Sequence, residues 1–213
     1  MRRVFAVMVT TAAAAWMALA LAACSQPGSP ASPSAAPAPS ATDGVTHTLA
    51  EEVDAELRAE LLAMLERDQA ERLGGEVTEG DQARTDRLSE IITDFGWPGV
   101  SLVGDEGEDA AWAIAQHSDL DPEFQRDALG HLRAAVEADD ASPGNLAYLE
   151  DRVAAGAGEP QLYGTQVRCG EDGPEPATPI EDEESVDERR EAAGLAPLAE
   201  YLAEMAGICA EVP

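Results

Sequence analysis

The chain has 213 residues and a formal net charge of −29, because 42 acidic residues outnumber 13 basic ones, all of them arginine. A protein this acidic is repelled by nucleic acid, so the composition excludes a nucleic-acid partner. The length that remains after the N-terminal segments described next is enough for one ordinary domain and hardly for two.

The N-terminus has the pattern of a secretory signal that ends in a cysteine. Arg2 and Arg3 precede an apolar run over residues 4–23, and a charged start followed by an apolar stretch is typical of a signal peptide. The run ends in Leu-Ala-Ala before Cys24, which resembles a bacterial lipobox. The resemblance implies cleavage after residues 1–23 and lipidation of the Cys24 thiol, and two acyl chains make a stable membrane anchor. A plain signal peptide or an uncut signal anchor are the alternatives.

A tether follows the lipidated cysteine, over residues 24–45. Almost every residue between 25 and 42 is Ser, Pro, Ala or Gly, a composition that cannot bury a core and that favours extended polyproline II. Such a disordered segment spans roughly 50 Å when fully extended. We therefore expect residues 46–213 to form a domain outside the cell membrane, held on its extracytoplasmic face.

Residues 46–213 have the pattern of an all-α domain with about seven helices. Thr48 and Glu51 form a capping box, and apolar residues then recur at helical spacing. An Asp or Ser followed by Pro is typical of a helix start, with the acceptor at the N-cap and the proline at the first helical position. The first two predicted helices span about 49–73 and 81–95. The next four begin after Gly104, at Asp121-Pro122, at Ser142-Pro143 and at Ser185. The seventh spans Pro197–Met205.

The least regular part lies between the fifth and sixth helices. Leu162, Tyr163, Thr165 and Val167 favour a short extended segment, or one arm of a hairpin, near residues 161–168.

Two cysteines, Cys169 and Cys209, remain once Cys24 is assigned to the lipid. In an oxidising compartment a single Cys169–Cys209 disulfide is the expected pairing. Two free thiols or a metal pair are the alternatives. Neither cysteine lies in a CxxC motif or close to a histidine, so we predict no metal site and no cofactor.

His117 is the residue best placed for chemistry. It ends the third predicted helix beside Gln116, just before Asp119 and Asp121, and a histidine near acidic groups can act as a general base. The alternative is a structural histidine at the C-terminus of the helix, where a cation is favoured. The sequence contains no GxSxG or SxxK nucleophile motif.

Asp151 and Arg152 are neighbours on a helix, so their side chains do not face each other and each needs a partner elsewhere. Asp151 could orient His117 or accept hydrogen bonds from backbone amides, and Arg152 could pin the loop over residues 161–166. The candidate catalytic residues are therefore His117, Asp151 and Tyr163, and Arg152, Thr165 and Gln166 are candidate ligand-binding residues. A buried polar network that only fixes the loop to the helix is the alternative.

Several short motifs together resemble one family. The stretch Gln-Leu-Tyr-Gly-Thr-Gln at 161–166, the Asp-Arg pair at 151–152, and Asp68-Gln69 with Arg72 resemble a bacterial family known only as domain of unknown function number 6624. The resemblance covers nearly all of the chain from Leu49 onward, and similar members are often actinobacterial lipoproteins. It implies no activity, and it adds Gln69 and Arg72 as candidate ligand-binding positions.

These features favour a lipid-anchored binding or interaction module of the cell envelope, whose partner is a small molecule or an envelope protein. A hydrolase centred on His117 and an accessory subunit of a membrane complex are the alternatives. The hydrolase requires Asp151 or Tyr163 within hydrogen-bond reach of His117. A binder requires a pocket with convergent polar groups, and an accessory subunit requires an exposed apolar patch.

The lipobox predicts a mature protein that begins at an acylated Cys24. Replacing Cys24→Ser removes the thiol that carries the lipid, so the variant should disappear from the membrane fraction while Cys169→Ser stays there. Cell fractionation and the intact mass of the membrane-bound chain measure this. Recovery of the unaltered chain free in the medium would contradict the anchor.

Overall fold

The structure, a computed structural model, describes residues 53–76 and 79–211, and this part of the chain is mostly helical, as the sequence predicts. It contains seven α-helices and one two-stranded antiparallel hairpin. The elements are α1 Ala55–Arg72, α2 Gly80–Phe95, α3 Val100–Gln116, α4 Pro122–Glu137, α5 Pro143–Ala157, β1 Val167–Gly170, β2 Gly173–Pro176, α6 Val186–Ala192 and α7 Leu198–Glu211. A single 3₁₀ turn over Glu183–Ser185 precedes α6.

The predicted signal peptide, Cys24 and the tether lie outside the described residues. Within the described part of the chain, no helix has the length and apolar character needed to cross a membrane.

The two proline-marked helix starts are confirmed. The Asp121 carboxylate accepts a hydrogen bond from the backbone N–H of Phe124 at 3.0 Å, and Pro122 opens α4. The Ser142 hydroxyl accepts from the N–H of Asn145 at 3.3 Å, and Pro143 opens α5. Each side chain satisfies one of the donors that a helix N-terminus leaves unpaired.

Several predicted boundaries are wrong. The first helix begins at Ala55 rather than near residue 49, because Asp54 caps it by accepting from the N–H groups of Glu56 and Leu57. The predicted cap at Thr48 and Glu51 lies outside the described residues. The third helix begins at Val100, five residues early, and breaks at Gly104, whose φ of 71° is open to glycine but strained for other residues.

Two further corrections concern the C-terminal part. The strands of the hairpin are 167–170 and 173–176, so most of the predicted extended segment at 161–168 is an irregular loop. Ser185 makes no capping hydrogen bond at α6, and the last helix continues to Glu211 rather than ending at Met205.

The apolar core lies among the first five helices, with α3 at its centre, in contact with α1, α2, α4 and α5. The fully buried apolar side chains come from each of them; they include Leu61, Leu88, Ile91, Val103, Ile114, Leu132 and Leu149. The hairpin and α6 pack on α7. The predicted Cys169–Cys209 disulfide is present and ties β1 to α7 across 40 residues of sequence.

Helices α3 and α5 run side by side in the same direction. Asn145 at the start of α5 donates to Glu108 in the middle of α3 at 2.8 Å. One turn further along both helices, the rings of Trp112 and Tyr148 meet edge to face with centroids 5.9 Å apart. This register, one turn of α3 for one turn of α5, places the C-terminal halves of the two helices next to each other.

Glu108 is a buried carboxylate in this interface. Its two oxygens accept from the Trp97 indole N–H at 3.2 Å and from the Asn145 amide at 2.8 Å. Burial raises the pKa of Glu108 to about 7, although both hydrogen bonds favour the ionised form. A carboxyl whose pKa is raised on folding stabilises the protein at low pH and loses that contribution as the pH rises.

We predict that Glu108→Gln removes a pH-dependent loss of stability. The wild type should lose about 2–3 kcal/mol of unfolding free energy between pH 5 and pH 8 relative to this variant, since the carboxyl pKa rises from 4.5 to about 7 on folding. Urea unfolding at both pH values measures it. The exposed Glu106→Gln on the same helix should reproduce the wild-type pH dependence. Parallel profiles for wild type and Glu108→Gln would contradict the prediction.

Candidate functional site

A buried polar cluster lies where the C-terminal ends of α1 and α3 meet. Asp68 occupies the core-facing stripe of α1 that Leu57, Leu61 and Met64 occupy earlier in the helix, and it is fully buried. His117 caps the C-terminus of α3 and is 4% exposed. Its Nδ1 lies 2.8 Å from Asp68 Oδ2. The apolar packing of α1 against α3 therefore brings a carboxylate and an imidazole into direct contact.

The neighbours of His117 determine which ring nitrogen carries the proton. Arg72 Nε lies 2.9 Å from Nδ1 and 3.1 Å from both oxygens of Asp68. An unprotonated Nδ1 could accept from Arg72, but it would then face a carboxylate oxygen at 2.8 Å with no hydrogen between them. A protonated Nδ1 donates to Asp68, and Arg72 donates to the same carboxylate. We therefore assign the proton to Nδ1 and the free lone pair to Nε2.

Asp68 is held in its ionised form. Besides His117 and Arg72, the Gln69 amide donates to Asp68 Oδ2 at 2.8 Å, and the buried Arg84 guanidinium lies 3.6 Å from Oδ1. Burial alone would raise the pKa of Asp68, but the hydrogen bonds from His117 and Arg72, together with the charge of Arg72, outweigh it and lower that pKa.

Arg84 joins the start of α2 to this cluster. It is 2% exposed, and its Nη2 donates to Glu71 at 2.9 Å and to Asp81 at 2.8 Å. Asp81 also accepts from Arg72 at 3.0 Å. The cluster is thus a network of alternating charges, and a network of this kind holds its members in one geometry.

The pKa of His117 is lowered, which favours an uncharged imidazole at neutral pH. Burial is the main reason why the pKa of His117 is lowered, and the nearby charges of Arg72 and Arg152 act in the same direction, against the opposing effect of Asp68. Among residues 53–76 and 79–211, nothing forms a hydrogen bond with its Nε2. That nitrogen can therefore accept a hydrogen bond or a proton from a bound molecule.

Asp151 serves the 161–166 loop and not His117. Its carboxylate accepts from the backbone N–H groups of Leu162, Tyr163 and Thr165, at 2.7, 3.1 and 2.8 Å, and from the Thr165 hydroxyl at 3.0 Å. The carboxylate that contacts His117 belongs to Asp68 instead. Of the two alternatives for Asp151, the structure therefore shows the second, in which it accepts hydrogen bonds from backbone amides. Burial raises the pKa of Asp151, while these hydrogen bonds oppose that rise.

The rest of the loop is also held by its backbone. The Gln161 side chain accepts from the N–H of Gln166 at 2.8 Å and donates to its carbonyl at 3.0 Å. Arg190 donates to the Tyr163 carbonyl at 2.8 Å, and the Tyr201 hydroxyl donates to the Thr165 carbonyl at 2.8 Å. The loop is therefore a rigid part of the fold.

Glycine is required at Gly164 in this loop. Its φ is 67°, and a Cβ there would lie 2.6 Å from Cδ1 of Ile180. The glycine of the Tyr-Gly-Thr-Gln motif thus has a structural explanation.

Arg152 connects the loop to the end of α3. It pairs with Asp119 through two nitrogens, with Nε 2.9 Å from Oδ1, and donates to Gln166 Oε1 at 3.1 Å. The expected contact between Arg152 and the loop is present. Asp119 follows His117 by two residues, and Gln166 belongs to the loop. These two contacts therefore hold Arg152 near His117.

The candidate residues fall into two groups. His117, Gln69 and Arg72 meet around Asp68, and Arg152 with Gln166 adjoins them through Asp119. The others belong to the loop scaffold: Asp151 and Thr165 bind each other, and the Tyr163 hydroxyl faces Glu150. Asp68, Arg84 and Asp119 were not assigned a site role from the sequence. Asp68 could have been found there, because it is a charged residue on the apolar stripe of its helix.

A cleft lies beside Glu108, and its lining does not include His117. This cleft has a volume of about 420 Å³, and its acidic lining includes Asp105, Asp109 and Asp139. In the described ranges, no group of three or more His, Cys, Asp or Glu side chains has an arrangement that could hold a metal ion.

The structure is thus a mostly helical domain with a buried carboxylate–imidazole pair, Asp68 and His117. The 161–166 loop contacts this region through Arg152. The chain belongs to the family of unknown function DUF6624, whose model matches residues 55–208. No curated protein and no solved structure matches the chain.

The role of Asp151 as the anchor of the loop predicts a large loss of stability for Asp151→Asn. The amide can replace only part of the acceptor capacity of the carboxylate, so buried N–H groups remain unpaired and stability should fall by about 2–3 kcal/mol. Chemical denaturation measures it, with the exposed Asp127→Asn in α4 as the matched control, which should change stability by less than about 0.5 kcal/mol. Equal stabilities for the two variants would show that the loop does not depend on Asp151.

Proposed function

We propose that this chain is a lipid-anchored, extracytoplasmic domain that binds a small polar molecule at His117. The observation that carries the proposal is the position of the imidazole: its Nδ1 is committed to Asp68, while Nε2 bonds no described residue and is not shielded from solvent. A lone pair that meets solvent at the edge of a buried polar cluster can accept a hydrogen bond from a small molecule.

The surroundings of His117 support a ligand rather than a purely structural role. Arg72 keeps about a third of its side chain exposed, and Arg152 keeps about a tenth, so both guanidinium groups border solvent next to the imidazole. A ligand that donates a hydrogen bond to Nε2 and presents a negative or partly negative oxygen to the arginines matches this arrangement.

The location outside the cell rests on separate features. The lipobox ending at Cys24 and the tether that follows support a membrane anchor, and the Cys169–Cys209 disulfide agrees with an oxidising compartment. The net charge of −29 keeps the domain away from anionic headgroups, so the tether leaves its site open to small molecules.

A hydrolase is the second candidate, and the orientation of the imidazole favours it. A carboxylate that fixes Nδ1–H leaves Nε2 as a general base, which is the arrangement used to activate a nucleophile. The nearest hydroxyl along the chain is that of Ser118, but it accepts from Thr85 at 2.8 Å and donates to the Ile114 carbonyl at 2.8 Å. The nucleophile in such an enzyme would therefore be a water molecule held at Nε2.

The binding proposal is tested by His117→Asn, whose side-chain amide can keep the hydrogen bond to Asp68 while Nε2 is lost. With a panel of small envelope-derived compounds at about 100 times Kd, a true ligand should raise the melting temperature of the full-length wild type by about 5–10 °C. The variant should fold and show no rise. Product analysis of the same mixtures distinguishes hydrolysis from binding.

The exposed His131→Asn is the matched control and should respond as the wild type does. A panel that shifts neither protein, or a ligand that shifts His117→Asn as much as the wild type, would contradict a site at His117.

A further inference from the structure

Two polar groups on the last turns of α3 pair with no residue in the described part of the chain. Gln116 is 6% exposed, and its Oε1 is fully buried without a hydrogen bond to any described residue. The indole Nε1 of Trp112 is likewise buried and unpaired within the described part of the chain. The two residues are four apart in one helix, so their side chains lie on the same face, with Cβ atoms about 5–6 Å from each other.

The fold places this pair beside the His117 site. Trp112 packs edge to face on Tyr148 of α5, and Arg152 follows Tyr148 by one turn. Because α3 and α5 run parallel in register, Gln116 lies across from Arg152. The Gln166 amide donates to the Tyr148 carbonyl at 3.4 Å and accepts from Arg152, which brings the loop to the same seam.

We propose that Trp112 and Gln116 form a subsite that binds an amide group of the molecule recognised at His117. This inference rests on the proposed function and adds the chemical class of the ligand. The indole is a donor and Gln116 Oε1 is an acceptor, so the complementary group needs one acceptor and one donor. A secondary amide supplies both, with its carbonyl facing Trp112 Nε1–H and its N–H facing Gln116 Oε1.

Neither buried atom pairs with a described residue, and a buried donor or acceptor that is left unpaired costs free energy. A bound amide satisfies both atoms together, whereas a hydrocarbon leaves both unpaired. Amides occur in peptides and in N-acetylated sugars, which share this chemistry, so the test includes one probe of each kind.

The probes are N-acetylglucosamine and N-acetylalanine, each paired with a compound that lacks the amide: glucose for the first and O-acetyllactate, an ester of similar shape, for the second. Calorimetric titration of the full-length chain in detergent should give saturable binding of at least one amide probe. Its amide-free counterpart should bind at least tenfold more weakly. Which of the two amides binds identifies the sugar or the peptide as the source.

Two variants test the subsite itself. Trp112→Phe keeps an aromatic ring against Tyr148 and removes the N–H, and Gln116→Leu keeps the volume and removes the amide. Both should weaken amide binding at least tenfold. Gln116→Leu should not lower the melting temperature of the free protein, because it removes an unpaired buried atom and keeps the volume. Gln125→Leu is the matched control, since the Gln125 amide donates to the carbonyls of Ala115 and Gln116 and its loss should lower the melting temperature.

Three outcomes would overturn the subsite. These are no binding of either amide probe, unchanged amide binding in Trp112→Phe and Gln116→Leu, or a melting temperature of Gln116→Leu that falls as far as that of Gln125→Leu. If amide-free compounds bind in a way that His117→Asn abolishes, the subsite is refuted while the proposed function stands. If nothing binds at His117, both fall together.

Discussion

The hydrogen bond between the Asp68 carboxylate and Nδ1 of His117 determines the character of the whole cluster. A carboxylate on the core-facing side of α1 cannot stay ionised without donors, and His117, Gln69 and Arg72 supply them at 2.8 to 3.1 Å. Because Nδ1 donates, the lone pair of the imidazole is at Nε2. One contact between two helices thus sets the protonation, the orientation and the reactive edge of the histidine.

The 161–166 loop gives the site its second constraint. Asp151 accepts from three backbone N–H groups of the loop, and Gln161, Arg190 and Tyr201 bind further backbone groups of it. Such a loop has little freedom to move. Its contribution to the site is made through Gln166, which helps to hold Arg152 beside His117.

Much of the fold could be predicted because its signals are local. The proline-marked caps at Asp121 and Ser142 depend only on neighbouring residues, and the Cys169–Cys209 pairing had no competitor in the domain. The start of α1 was misplaced because apolar spacing extends through Val53, while the carboxylate of Asp54 begins the helix two residues later.

The site was harder to predict because its contacts are distant in sequence. His117 was identified, but its partner Asp68 is 49 residues away and belongs to another helix. Asp151 was a candidate partner of His117 because a carboxylate on that helix needs a partner elsewhere in the fold, and only the folded loop shows that its oxygens bind backbone amides. The residue type alone does not reveal whether a buried carboxylate accepts a hydrogen bond from an imidazole, as Asp68 does, or from the backbone of a loop, as Asp151 does.

The protonation of His117 tests this account most directly. Nitrogen NMR of the full-length chain with labelled histidine reports which ring nitrogen carries the proton, and only three histidines need to be assigned. The account predicts a neutral ring protonated at Nδ1, with a pKa below 6.5 because burial and two arginines disfavour the imidazolium. A ring protonated at Nε2, or a His117 pKa at or above 6.5, would contradict it.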